Sequence, residues 1–87
     1  MSKTRKLLER LDRIPRDMTW DELSSLLERL GFSRKEGAGS RVLFFCASDP
    51  QRVIWLHRPH GRNPATVLSV YIRDVRDRLN EWGYYDD

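Results

Sequence analysis

The 87-residue sequence has one cysteine, Cys46, so no internal disulfide can hold it together. Inside a strand-like run that cysteine reads as a small core residue rather than a nucleophile. Two histidines and one distant cysteine make a poor zinc set, and the acids are scattered, so no metal or other cofactor is expected. No apolar run reaches the ~18 residues that a membrane span requires. Glu9, Arg10 and Asp12 interrupt the leucines of MSKTRKLLERLDRIPRD, which denies the N-terminus the unbroken apolar stretch of a signal peptide. GAGS, residues 37–40, leads into a strand-like run rather than a helix, so it is not a phosphate loop of the nucleotide-binding kind. These absences point to a cytoplasmic chain with no membrane partner.

What is abundant is charge. Charged residues make up 33% of the chain against 39% hydrophobic, a balance that supports one small globular domain with a heavily charged surface. The net charge of +3 is unevenly spread. Residues 1–16 carry six Lys/Arg against two acids, and residues 34–62 again carry six against two. A basic central region suits a polyanion such as nucleic acid.

Periodicity gives the elements. Leu7, Leu8, Leu11 and Ile14 lie at helical spacing before Pro15, so residues 1–16 read as a basic helical extension. TWDE is a capping box, and Trp20, Leu23, Leu26, Leu27 and Leu30 form one apolar stripe that Gly31 closes. FSRKE is a short strand. RVLFFCA and RVIWLH are strands joined by a hairpin at SDPQ. Asn63 is a good N-cap and Pro64 a good first residue for a last helix over 65–82, with Leu68, Tyr71, Ile72, Val75, Leu79 and Trp82 as its stripe. Residues 17–83 then form the main domain, and 84–87 a loose tail. The order is α, then α-β-β-β-α: an α+β fold with two helices on one face of a three-stranded antiparallel sheet.

The chemistry concentrates in LHRPHGR, residues 56–62. RNA cleavage needs a base for the 2′-hydroxyl proton, an acid for the leaving oxygen and cations for the phosphorane. Histidine serves the first two near neutrality, and the planar fork of arginine suits the third. Both histidines, His57 and His60, lie in this stretch beside Arg58 and Arg62. Solvated surface, or contact with a protein partner, is the blander reading of the same residues.

GAGSRVLFF, the hairpin, LHRPH and a closing helix, preceded by TWDELSSLLERLGF, resemble the HicA family of toxin–antitoxin toxins from about Thr19 to Gly83. The resemblance implies a double-stranded-RNA-binding-like (dsRBD-like) α-β-β-β-α domain, extended here by an extra N-terminal helix. It also implies an mRNA interferase, an endoribonuclease neutralised by a HicB-like antitoxin. One position departs from the pattern. Gly39-Ser40 is followed by Arg41 where many family members place the histidine taken to be catalytic, and arginine cannot act as a base. Either activity is lost, or another histidine has taken the role. If Val42 and Phe44 face the core with Ile54 and Leu56, a three-residue loop of Ser48, Asp49 and Pro50 sets Arg41 opposite His57, on one face with Leu43 and Trp55. His57 is then the expected base and His60 the acid, with Arg41 and Arg58 as a phosphate clamp. The alternative is a non-catalytic RNA-binding module using Lys35, Arg41, Arg58 and Arg62, with Trp55 as a stacking surface. A third reading is a protein-interaction domain whose basic face meets only an acidic partner.

Overall fold

Ser2 and Thr19 start two helices by the same chemistry: each side-chain oxygen accepts a first-turn backbone N–H, from Arg5 and Glu22 respectively. At Thr19 the Glu22 carboxylate also accepts the Thr19 N–H at 2.9 Å, completing the box. The structure, a computed structural model, describes residues 2–59 and 65–86. Its elements are α1 (Lys3–Asp12), α2 (Trp20–Arg29), β1 (Phe32–Glu36), β2 (Arg41–Cys46), β3 (Asp49–His57) and α3 (Ser69–Glu81). The strands form one antiparallel sheet in the order β1-β2-β3.

The expected hairpin register holds from Arg41↔His57 to Phe45↔Val53. It departs at the tip. There Ala47 and Ser48 make a two-residue turn, Cys46 lies opposite Asp49, and an irregularity between Phe45 and Cys46 takes up residues 50–52. The expected loop of Ser48, Asp49 and Pro50 is therefore not the one formed. Pro50 has no N–H for a ladder, which makes a bulge its natural place.

Alternation sets the core. Val42, Phe44 and Cys46 of β2 and Ile54 and Leu56 of β3 are buried on one sheet face. Leu23, Leu26 and Leu27 of α2 and Ile72, Val75 and Leu79 of α3 are buried in the same cluster, so the helices cover that face. Trp20 is buried and tilts against Phe44 at 6.0 Å between centroids, while Trp82 is only partly buried beside Phe32.

The N-terminal extension packs into the core through Leu7, Leu8 and Leu11, and Arg10 ties α1 to Asp17 and Glu22. Two expectations are corrected. The tail is not loose through residue 86. Tyr84 packs on Phe32 and accepts a hydrogen bond from Arg52, and the Tyr85 hydroxyl donates to the Leu8 carbonyl at 3.0 Å. The last helix begins at Ser69, four residues later than the Asn63-Pro64 cap signal suggested. Residues 65–67 instead pair with the segment entering α2, through Trp20 N–H to Ala65 O and Val67 N–H to Met18 O. β-branched Thr66 and Val67 suit that extended pairing. Leu68 becomes an exposed cap position rather than core, and the Asn63-Pro64 start lies outside the described residues.

Candidate functional site

A strand alternates its side chains between two faces, so the register assigns every sheet residue to a side. The face away from the helices carries Ser33, Lys35, Arg41, Leu43, Phe45, Val53, Trp55 and His57. No carboxylate is among them. Lys35, Leu43 and Trp55 make one row across the three strands, and Arg41 and His57 pair in the next. Arg41 and Lys35 have no acidic partner among the described residues. Instead the Arg41 guanidinium lies 4.5 Å over the Trp55 ring centroid, a cation–π contact. Trp55 is 49% exposed, while Leu43, Phe45 and Val53 are half-buried.

His57 ends β3 with an exposed side chain. Its Nδ1 lies 3.3 Å from Ser40 Oγ, and its ring is 6.0 Å from that of Tyr71 on α3. The Arg58 N–H donates to the Ser40 carbonyl at 2.8 Å, so the ladder continues one residue past β3 and fixes Ser40 beside the imidazole. In the tautomer whose Nδ1–H donates to Ser40, Nε2 presents a lone pair and is positioned to accept a proton.

Arg58 does not join Arg41. The alternation that turns His57 outward turns Arg58 to the helix side, where its guanidinium pairs with Glu36 and lies 5.6 Å from the Trp20 ring. Glu36, opposite Val42, shares that side. The expected clamp of Arg41 with Arg58 is therefore not assembled. His60 and Arg62 lie outside the described residues. Of the expected site residues, the structure puts Arg41 beside His57 and Trp55, with Lys35 on the same face two strands away. Ser40 and Tyr71 were missed as neighbours of His57. Gly-Ser was noticed only as part of a motif, and Tyr71 only as part of a core stripe.

The remaining chemistry lies elsewhere. The Cys46 thiol is pulled below its ordinary pKa by hydrogen bonding to Ser48, against burial, but it is enclosed within the core. Among the described residues no group of three His, Cys, Asp or Glu side chains could hold a metal ion, and no helix is long and apolar enough to cross a membrane. No family model, curated protein or solved structure matches the chain.

Proposed function

We propose that this domain is an RNA-cleaving toxin, similar to HicA toxins in its dsRBD-like α-β-β-β-α order, and held inactive by a HicB-like acidic antitoxin. The observation that carries the reading is the pairing of Arg41 with His57 on a sheet face without carboxylates, with Ser40 at Nδ1 of the imidazole. Cross-strand neighbours lie roughly 4.5–5.5 Å apart at Cβ, close enough to share one phosphate. His57 Nε2 takes the proton of a 2′-hydroxyl as the oxygen attacks the adjacent phosphorus. Arg41 and Lys35 meet the charge that builds on the phosphoryl oxygens. The P–O5′ bond then breaks, and His60 remains the proposed acid for the leaving oxygen on the strength of the LHRPH motif. The same cations, which have no acidic partner among the described residues, and the exposed tryptophan give an acidic antitoxin a charged target and an aromatic anchor.

A second reading has its own support. Arg41 stands where the family places its histidine and stacks on Trp55, an arrangement suited to binding RNA without cutting it. Induced expression of the wild type beside His57→Ala separates the two. The toxin reading expects arrested growth and fragmented mRNA with the wild type and neither with the variant. Intact mRNA under wild-type induction, with RNA still bound by the purified protein, would leave the binding module.

A further inference from the structure

We infer that the outer sheet face is a platform for single-stranded RNA, on which an unpaired base stacks at Trp55 beside the phosphate held at Arg41 and His57. The inference rests on the proposal that the domain acts on RNA and adds the class of RNA it takes.

Trp55 is one of the few large apolar side chains left open by the fold, at 49% exposure, and the half-buried Leu43, Phe45 and Val53 extend its apolar floor. Lys35 lies in the same row beyond Leu43 and Arg41 in the next row, and neither has an acidic partner among the described residues. A face with cations, an exposed π-surface and no carboxylate matches the two components of a single strand, its phosphates and its bases. A duplex offers the same phosphates but keeps its bases stacked inside, so it leaves Trp55 without a partner. An acidic polypeptide satisfies the charge and packs on the tryptophan only where it brings an apolar side chain, whereas every nucleotide of a single strand brings both a phosphate and a π-face.

The geometry also orders the contacts. Trp55 and His57 are two residues apart on one strand, about 6.6 Å along it, so a stacked base and the reacting phosphate belong to neighbouring nucleotides. The Arg41 guanidinium already lies over the Trp55 ring. When a base arrives, the guanidinium moves from the ring to the phosphate, whose oxygens its fork matches. A cation–π contact at an exposed site is weaker than base–aromatic stacking, so the exchange is favourable.

The test uses the full chain carrying His57→Ala, which prevents cleavage during measurement, titrated against a short unstructured RNA and against the same strand annealed to its complement. The single strand binds about tenfold or more tighter than the duplex. Adding Trp55→Ala removes roughly tenfold to a hundredfold of single-strand affinity and leaves duplex affinity alone, while Trp55→Phe restores most of it. Lys35→Gln reduces the salt dependence of binding, whereas Trp55→Ala does not. Equal affinity for single strand and duplex, or a Trp55→Ala variant that binds as before, overturns the platform while leaving RNA as the target. If neither RNA form binds and wild-type protein cuts neither, the proposed function falls as well. If Trp55→Ala abolishes binding to poly-glutamate but not to RNA, the face belongs to an acidic protein and the inference is wrong.

Discussion

The imidazole of His57 touches Ser40 through Nδ1, and its Nε2 has no hydrogen-bond partner among the described residues. His57→Ala is expected to abolish RNA cleavage while shifting stability by no more than about 0.5 kcal/mol, because an exposed strand-end side chain contributes little packing. Cleavage of a labelled RNA beside urea denaturation measures both. On the proposed function, Ser40 acts through the histidine as a positioning residue, by its contact with Nδ1. Ser40→Ala should lower kcat about tenfold with little change in KM and move the pH profile of kcat, and Ser40→Thr should recover much of the loss. An unaltered pH profile would reduce Ser40 to a turn residue. The position of His57 was legible only in part: burying Val42 and Phe44 with Ile54 and Leu56 sets Arg41 opposite His57, whereas a one-residue slip would turn His57 to the core, and the structure has the first register. The same alternation turns Arg58 inward, to Glu36 and away from Arg41. Residues next to each other along an extended chain point to opposite faces, so Arg58 cannot share the side of His57. Ser40 was harder to see, since its contact with His57 depends on pairing that outlasts β3 by one residue.

The elements show where local signals sufficed and where packing overrode them. α2 was legible from end to end, with its capping box, leucine stripe and Gly31 at φ 100°. Thr19→Ala should cost about 1 kcal/mol in chemical denaturation, the usual loss for an N-cap hydroxyl. α1 was legible as a helix from its leucine spacing, but spacing alone does not say which elements its apolar face meets. Leu11 is fully buried, so Leu11→Ala should cost about 2–5 kcal/mol in the same measurement. A cost under 0.5 kcal/mol would return α1 to the status of an extension. The start of α3 was misread for a physical reason. Asn-Pro is sound cap chemistry, but Thr66 and Val67 reach extended pairing with the approach to α2, and Val67 is buried there. Tertiary hydrogen bonds and burial outweighed a local helix signal whose intrinsic size is modest.

At the scale of the molecule, the two ends of the chain brace one another, and this makes stability sensitive to alkali. The Tyr85 hydroxyl donates to the Leu8 carbonyl of α1. Burial, and then the negative charge of Asp12, push its pKa up to about 12, with Arg76 opposing. An unfolded tyrosine ionises near pH 10. Between those values the folded state keeps its proton and the unfolded state loses it, so ionisation favours unfolding. The stability from Tyr85 is therefore fully present below about pH 10 and is lost as pH climbs toward 12. Neither the value nor the contact was legible in YYDD, since both depend on α1 lying against α3. Tyr85→Phe keeps the ring in the core and removes the hydroxyl. At neutral pH it should cost about 0.5–1.5 kcal/mol, the net worth of one hydrogen bond. Its stability should then fall less steeply than that of the wild type from pH 10 to 12, so the two curves converge. The two proteins differ by one hydroxyl, so the difference between the curves isolates Tyr85. Parallel curves from urea denaturation across that range would mean that the Tyr85 hydroxyl is solvated and that the tail does not clamp α1.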